Sequence, residues 1–351
     1  DQVTCVLANG FAAMIDIPGL NYRTQRYKES YDQLPQNLIL GSETASTVSS
    51  RGVYKFPVED KKSTKYEDHQ CSSYDVEACS WSNIPDEDFA LADDNHWTIG
   101  QFVWTGFDYL GEPSPYDTDA WPNHSSMFGI IDLASLPKDR YYLYRSVWNK
   151  DAETLHILPH WTWPGREGEV TPVFVYTNYP TAELFINGKS YGKQSKNDSS
   201  LKNRYRLMWM DAVYEPGEVK VIAYNKDGKA VAEKVVRTAG KPHHIELVSN
   251  RNELTADGKD LAYVTVKVVD KDGNLCPTDN RQINFSAKGT GKYRAAANGD
   301  PTNLEQFHLP KMHTFNGMLT AIIQAGETAG EIVFTAKANG VKAGNIRIQT
   351  K

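Results

Sequence analysis

The chain has 351 residues, which is more than one ordinary hydrophobic core accommodates and therefore predicts two or three domains. Its net charge of −6 gives no basic footprint for nucleic acid or an anionic membrane surface. No apolar run approaches the roughly 20 residues that a membrane helix needs. Aromatic residues are abundant, with 8 Trp, 19 Tyr and 12 Phe. Flat aromatic faces stack on sugar rings but are also enriched in β-strands, so composition alone leaves both interpretations open.

The first 150 residues alternate strand-like and helix-like segments, which is typical of parallel βα units. Residues 3–7 are predicted to form a core strand that holds Cys5 as a buried thiol. Because a domain rarely opens inside a core strand, we expect the chain to be part of a longer protein. The later segments are, in order, a strand ending at residues 21–22, a helix over 24–34, a strand at 38–41, a helix over 86–95, a strand over 99–104 and a helix over 138–148.

Four such strands, each followed by room for a helix or loop, amount to about half of an eight-stranded βα barrel. Half a barrel has open edges and an uncovered interior, so we expect it to be unstable alone. The long loop before the acidic helix contains Cys71 and Cys79, which are near enough in sequence for a disulfide, although spacing does not establish the geometry. The chain has no CxxC or Cys/His ligand pattern, so no zinc site is predicted.

The pattern changes after residue 150. Residues 151–240 contain short alternating runs separated by turn signals such as Asn187-Gly188 and Asp227-Gly228, which predict a β-sandwich. A second alternating block over 241–351, which includes residues 262–269, predicts another immunoglobulin-like (Ig-like) sandwich. The sequence thus divides into three predicted domains, 1–150, 151–240 and 241–351.

Three strand ends in the first domain carry side chains that suit glycoside chemistry. Asn21 and Tyr22 end one strand, Glu43 follows the next, and Trp104 ends a third. In a βα barrel the site lies at the carboxyl ends of the strands, so these side chains are expected to converge. A carboxylate can attack or stabilise an oxocarbenium-like centre, a phenol can hydrogen-bond that carboxylate, and an indole can stack on the sugar. The alternative for Glu43 is an ordinary strand-end carboxylate that faces water.

Several segments resemble glycoside hydrolase family 2, and the likeness is closest to β-galactosidases of the gut-Bacteroides type. Residues 16–22 (DIPGLNY), 41–44 (GSET) and 100–113 (GQFVWTGFDYLGEP) are similar to the last barrel strands of those enzymes. Residues 177–192 (TNYPTAELFINGKSYG) and 297–302 (ANGDPT) are similar to their accessory sandwiches. The resemblance covers nearly the whole chain. It implies a multidomain α/β plus all-β fold, the C-terminal half of a (β/α)8 TIM barrel followed by two Ig-like β-sandwich domains.

The resemblance also implies roles for individual residues. Glu43 corresponds to the nucleophile of a retaining mechanism, Tyr22 to its hydrogen-bonding partner, and Trp104 to part of the sugar subsite. The further residues expected to contact the substrate are Asn21, Ser46, Asp108 and Glu112. For Asp108 and Glu112, capping or ion pairing within their loop is an equally open alternative.

The chain departs from the family pattern at three places. Members carry a general acid/base Glu in an Asn-Glu pair on an earlier strand, whereas the Asn-Glu pair here, Asn252-Glu253, lies in the second sandwich and is predicted to be a turn. Ser46 stands where some β-galactosidases place a His, which leaves the galactose contacts open. Glucuronidases of the family use an Asn-x-Lys motif that residues 127–132 lack, which disfavours a glucuronide.

Retaining hydrolysis needs two carboxyl groups, and this chain supplies one. We therefore expect the remaining N-terminal portion of the same enzyme as a partner, and the isolated chain to be inactive. The expected function is hydrolysis of terminal β-D-galactosidic bonds in a β-galactoside or a plant or host glycan, by a periplasmic or extracellular bacterial enzyme. No cofactor or metal is assigned, because the ligands of the divalent ion known in parts of the family would lie upstream. The alternatives are a non-catalytic carbohydrate-binding or structural module, or another family 2 activity such as β-glucuronidase or β-mannosidase. The oligomeric state is open, a homo-oligomer included.

Overall fold

The computed structural model describes residues 3–116 and 120–351, and the chain is mostly β-structure with a few short helices. Among these residues, no helix has both the length and the apolar character needed to cross a membrane. We refer to the N-terminal region (residues 3–150), the middle region (151–240) and the C-terminal region (241–351). The elements of the N-terminal region are α1 Val3–Ala8, α2 Phe11–Met14, β1 Gly19–Asn21, a 3₁₀ turn at Thr24–Arg26, α3 Tyr27–Gln33, β2 Ile39–Thr44, β3 Lys61–Lys62, β4 Glu77–Ala78, α4 Pro85–Asp94, β5 Thr98–Val103 and α5 Asp139–Trp148.

A three-stranded parallel sheet forms the centre of the N-terminal region, in the order β1-β2-β5. Helix α3 connects β1 to β2, and α4 precedes β5, so the predicted alternation of strands and helices is present. Leu20, Tyr27, Ile39 and Trp97 are buried together beneath this sheet. Because all three strands run in the same direction, their carboxyl ends meet at one edge.

The prediction of a core strand over residues 3–7 is wrong, because this segment is helix α1. Val3, Val6 and Leu7 pack against the same hydrophobic cluster, and their spacing of three and four residues is that of one helical face. A short apolar run cannot distinguish a strand from a buried helix by composition alone. The helix directs Cys5 away from the cluster, so this thiol is exposed and was wrongly predicted to be buried.

The middle region contains two antiparallel sheets, in the orders β10-β7-β6 and β12-β11-β8-β9. Along β11, buried and partly exposed residues alternate, as the predicted sandwich pattern requires. The sequence did not predict the five-residue helix α6, whose N-cap Ser200 accepts a hydrogen bond from the Asn203 amide. The elements are β6 Leu155–Leu158, β7 Val173–Thr177, β8 Thr181–Ile186, β9 Lys189–Ser195, α6 Leu201–Tyr205, β10 Leu207–Trp209, β11 Glu218–Tyr224 and β12 Ala230–Arg237.

The C-terminal region also contains two sheets, one of four strands (β13-β15-β19-β17) and one of five (β14-β21-β20-β16-β18). Their inner faces enclose a single large core that includes Val266, Ile323 and Phe334. Glu253 begins β14, is exposed and pairs with Lys351 at 2.6 Å, which makes it a surface carboxylate. The elements are β13 His244–Ser249, β14 Glu253–Leu254, β15 Leu261–Val269, β16 Gln282–Gly289, β17 Gly291–Ala297, β18 Lys311–His313, β19 Met318–Ala325, β20 Gly330–Lys337 and β21 Gly344–Thr350.

The N-terminal and middle regions share a hydrophobic cluster. Side chains from α4 and α5 pack there against residues of β6, β7 and α6. The buried Arg206 of the middle region crosses the boundary, and its Nε donates to Asp86 of α4 at 2.9 Å. The two regions are therefore joined by an apolar core and a buried ion pair. The members of the cluster include Tyr74, Phe89, Leu143, Tyr144, Leu158, Phe174, Tyr176 and Tyr205.

Candidate active site

A cavity of about 470 Å³ lies at the carboxyl edge of the parallel sheet. Six of the seven residues that the sequence predicted for the site line it, and they come from the ends of all three strands and the loop after β5. The lining residues are Asn21, Tyr22, Arg23, Glu43, Ser46, Trp81, Trp104, Glu112 and Phe128.

A larger cleft of about 860 Å³ lies between the middle and C-terminal regions. Its described lining consists mostly of turn and linker residues, with no Trp, Tyr or Phe, and it includes the ion pair between the strand-end residues Arg237 and Glu218. A site for sugars needs flat apolar faces beside its polar groups. The smaller cavity at the sheet edge is therefore the better candidate for carbohydrate chemistry.

Glu43 and Tyr22 are joined by side-chain and backbone contacts. The Tyr22 hydroxyl donates to Glu43 Oε2 at 2.9 Å, and the Tyr22 amide donates to the Glu43 carbonyl at 2.7 Å. Burial raises the pKa of the Tyr22 phenol above its usual value, and the nearby Glu43 carboxylate raises it further. The phenol therefore stays protonated at neutral pH and acts as a hydrogen-bond donor to the carboxylate.

The backbone around this pair is strained. Tyr22 (φ 54°), Arg23 (φ 57°) and Ala45 (φ 48°) all adopt the left-handed conformation, which side chains with a Cβ rarely occupy. Tyr22 and Arg23 follow the carboxyl end of β1, and Ala45 follows the carboxyl end of β2, the strand that contains Glu43. Strained non-glycine residues cluster at active sites and ligand clamps, where the surrounding fold holds them in place. Three of the ten non-glycine residues with positive φ in the described part of the chain thus lie beside this pair.

Asn21 and Ser46 flank the pair. The Asn21 amide oxygen accepts a hydrogen bond from Ser42 Oγ at 2.7 Å, which orients the side chain at the end of β1. Ser46 is buried, and its backbone amide donates to Ser82 Oγ at 2.7 Å. The Ser46 hydroxyl has no partner of ordinary hydrogen-bond geometry, yet it is near enough to Tyr22 to lower the pKa of the phenol. It is therefore a fully buried hydroxyl beside the pair, on a residue that lines the cavity.

Trp104 forms one wall of the cavity. Its amide donates to the Thr44 carbonyl at 2.9 Å, which fixes it next to β2, and its peptide bond to Thr105 is cis. The indole meets Tyr109 edge-on, with ring centroids 5.9 Å apart. The Tyr109 hydroxyl donates to the exposed Glu112, which holds that carboxylate at the rim.

Asp108 does not line the cavity. Lys138 Nζ lies 2.6 Å from Asp108 Oδ2, and the Gly129 amide donates to Oδ1 at 2.8 Å. Burial raises the pKa of the Asp108 carboxyl to about 6, against the opposing effect of Lys138. The geometry therefore favours the ion-pairing alternative for Asp108 over contact with a substrate.

The sequence did not identify Arg23, Trp81 and Phe128 as lining residues. Arg23 directly follows Tyr22, so proximity in sequence was an available signal. Trp81 lies in the loop before α4 and is 41% exposed, but Trp121 (67%) and Trp148 (47%) are more exposed, so exposure does not single it out. Phe128 carries no such signal, because only the folding of a distant loop brings it to the cavity.

The described residues contain no group of three or more His, Cys, Asp or Glu side chains arranged to hold a metal ion. Cys71 and Cys79 are buried, unbridged thiols in a cluster with Val48, Tyr116 and Met127. Burial raises the pKa of the Cys79 thiol to about 12, which keeps it protonated and unreactive. These cysteines therefore have a packing role.

Comparison with known proteins gives matches along nearly the whole chain. Two family models match, "Glycoside hydrolase family 2 C-terminal domain 5" over residues 245–347 and a domain of unknown function (DUF4982) over residues 168–232. A β-galactosidase of Bacteroides ovatus is 39% identical over 349 residues, which are 97% of this chain and 40% of that protein. A putative β-glucuronidase of Formosa agariphila is 35% identical over 211 residues, 59% of this chain and 20% of that protein.

Solved structures agree with the sequence matches. The crystal structure of a β-glycosidase from Bacteroides vulgatus superposes with a TM-score of 0.84 and 28% identity, over 96% of this chain and 45% of that one. The chain thus spans less than half the length of the relatives it matches. From the family-model match in the C-terminal region, the near-complete coverage by a family relative and the shared fold, we conclude that this chain belongs to glycoside hydrolase family 2.

Proposed function

We propose that this chain is part of a retaining β-galactosidase in which Glu43 is the nucleophile and Tyr22 its hydrogen-bonding partner. The observation that carries the proposal is the Glu43–Tyr22 pair, which lies at the carboxyl edge of a parallel sheet and beside the Trp104 indole. A carboxylate nucleophile is one half of the carboxyl pair that retaining glycoside cleavage requires, and an aromatic wall suits a cavity that binds a sugar.

In the proposed reaction, a Glu43 oxygen attacks the anomeric carbon and forms a glycosyl ester while the bond to the leaving-group oxygen breaks. A second carboxyl group protonates that oxygen, then takes a proton from water, which attacks the ester and releases the sugar and the Glu43 carboxylate. The Tyr22 hydroxyl holds Glu43 in position throughout, since it donates at 2.9 Å to the oxygen Oε2. The Trp104 indole would stack on the sugar ring.

We propose that the second carboxyl comes from the rest of the enzyme, N-terminal to this chain. Among the residues that line the cavity, Glu112 is the other carboxylate. It is exposed and held by Tyr109 at the rim, which suits contact with a substrate better than proton transfer at the centre. On this proposal the isolated chain does not hydrolyse glycosides.

The exposed apolar residues of the N-terminal region support the same view. Phe11 (59% exposed), Met14 (84%) and Phe102 (64%) present large apolar side chains to solvent, and β5 is an unpaired edge of the sheet. Edges and apolar patches of this kind are normally covered. We therefore propose that residues 1–150 are the C-terminal half of a (β/α)8 barrel, closed by the missing portion, and that 151–240 and 241–351 are two Ig-like domains.

Galactose is the proposed sugar because a relative that is 39% identical over 97% of this chain is named a β-galactosidase. Some relatives are named β-glucuronidases, but residues 127–132 lack the lysine motif that would bind a sugar carboxylate. A terminal β-galactoside of a plant or host glycan is accordingly the proposed substrate, and a periplasmic or extracellular location is proposed with it.

The test uses the full-length enzyme with aryl β-galactosides and aryl β-glucuronides. Glu43→Gln should abolish turnover, and Tyr22→Phe should lower kcat by about 100-fold, the size of effect seen when a single positioned donor is removed. Glu112→Gln is the matched control, because it makes the same chemical change at the rim and should leave most of kcat intact. A mechanism-based fluorosugar should label Glu43. Retained activity in Glu43→Gln would refute the assignment, and preference for the glucuronide would refute the choice of sugar.

A further inference from the structure

The C-terminal region contacts the N-terminal region through residues of two short segments, 298–302 and 315–316. Residues 298–302, here called the docking loop, follow β17 and belong to the ANGDPT segment singled out in the sequence. The His124 amide donates to the Pro301 carbonyl at 3.2 Å, and Gln70 Nε2 donates to Asp300 Oδ1 at 3.0 Å. The docking loop therefore contacts two separate segments of the N-terminal region.

Arg51 fastens this interface. Its guanidinium is buried, and Nε donates to Asp132 Oδ2 at 2.6 Å within its own region. Nη2 donates to two carbonyls of the C-terminal region, Asn298 at 2.7 Å and Phe315 at 3.1 Å. In return, Asn316 Nδ2 donates to the Arg51 carbonyl at 2.7 Å. A buried cation with this many partners holds the two surfaces in one arrangement.

The docked segment is continuous with the rim of the cavity. We call residues 105–116 and 120–128 the rim loop. The carbonyl of His124 accepts from the Gly111 amide at 2.9 Å, next to Glu112. Ser126 Oγ accepts from the Tyr109 amide at 3.0 Å, and the Tyr109 carbonyl accepts from the Ser126 amide at 2.8 Å. The two halves of the rim loop are thus hydrogen-bonded to each other, and the docking loop is hydrogen-bonded to the second half at His124.

We propose that the C-terminal region is a positioning element for the active site, and that its docking loop holds the rim loop so that Tyr109 and Glu112 stay at the mouth of the cavity. Its catalytic consequence rests on the proposed glycosidase function. None of the docking-loop residues is among the described residues that line the cavity, so on this proposal they act through His124 and Gly111.

Gly299 offers a selective way to disturb this contact. Its φ is +83°, and a Cβ built there would lie 2.0 Å from Asp132 Oδ2, across the interface. Ala at this position must therefore push the docking loop away from Asp132 and Arg51. Gly273 is a matched control in a turn of the same region, because its φ is +85° and a Cβ there meets no atom within 4 Å. Both substitutions place an alanine in the left-handed backbone conformation at a similar energetic cost. Gly299→Ala alone also introduces a steric clash at the interface.

The experiment compares Gly299→Ala with Gly273→Ala in the full-length protein, by hydrogen exchange and by steady-state kinetics. Rim-loop peptides within residues 109–116 and 120–126 should exchange about tenfold faster in Gly299→Ala than in Gly273→Ala, because supporting hydrogen bonds are lost. The value of kcat/KM for an aryl β-galactoside should fall about tenfold in Gly299→Ala alone, as expected for a misplaced site. If Gly299→Ala does not fold, Gln70→Ala removes one contact and should give a smaller change in the same peptides.

Unchanged hydrogen exchange of the rim-loop peptides in these variants would overturn the proposal that the docking loop supports the rim loop. Faster exchange with unchanged kcat/KM in an active enzyme would overturn the positioning role. If the wild-type protein does not hydrolyse the galactoside, the proposed function fails, while the exchange measurement still decides whether the docking loop supports the rim.

Discussion

The buried pair between Arg206 and Asp86 gives a sharp stability prediction. Arg206 Nε donates to Asp86 Oδ1 at 2.9 Å, Nη2 donates to the other carboxylate oxygen, and Nη1 donates to the Tyr74 carbonyl at 3.0 Å. Neither side chain of the pair is accessible to solvent. Asp86→Asn keeps the shape but removes the carboxylate that pairs directly with the buried guanidinium, which costs about 3–5 kcal/mol. Asp86 also lies in the first turn of α4, where a negative charge contributes about 0.3–1 kcal/mol through the helix dipole.

The same helix provides the control. Asp94, at the other end of α4, also forms a two-bond pair with an arginine of the middle region, Arg204, at 2.9 and 2.8 Å, but this pair is exposed to solvent. Asp94→Asn should therefore change stability little. Urea unfolding of the full-length protein, followed by tryptophan fluorescence and circular dichroism, should show a much lower midpoint for Asp86→Asn only. A shift no larger than that of Asp94→Asn would refute the reasoning. Replacing both buried partners with apolar residues should recover most of the loss, because no charge is then left unpaired.

Two further predictions use the buried titratable groups. Burial raises the pKa of the Asp88 carboxyl to about 7, from an unfolded value near 4, so the folded state binds the proton more tightly and stability should fall as pH rises from about 4 to 7. Asp88→Asn should flatten this dependence in urea titrations at several pH values, and an unchanged slope would contradict the shift. For the thiols, a water-soluble disulfide reagent should label Cys5 quickly in the native protein, and Cys71, Cys79 and Cys276 after unfolding. Rapid native labelling of a second thiol would contradict the burial.

Much of the fold was predictable because its signals are local. The polar helix after β1, the acidic helix α4 and the last helix of the N-terminal region, α5, all have bounds within three residues of the predicted ones. Alternating runs and Asn-Gly or Asp-Gly turns likewise predicted strands in the last two regions. The prediction for α1 failed because a run of five residues, four of them apolar, fits either period, and packing against the neighbouring cluster decided in favour of the helix.

The candidate site was predictable to the same extent. Parallel strands bring their carboxyl ends to one edge, so the residues at the ends of β1, β2 and β5 had to lie near one another once the strands were recognised. Asp108 follows β5, but its side chain does not reach the cavity. It pairs instead with the buried Lys138, because a buried charge requires a partner. Of the two carboxylates in the loop after β5, Glu112 lines the cavity and Asp108 does not, and this difference depends on Lys138, which lies well beyond both in the sequence.

The sequence alone therefore determined which strand ends carry a carboxylate, a phenol and an indole, since strand direction and side-chain type are properties of short segments. The tertiary structure decided how the site is supported. Arg51 reaches the Asn298 carbonyl across 247 residues of sequence, and Arg206 reaches Asp86 across 120. Such contacts depend on how whole regions pack against each other, and no local pattern records that packing.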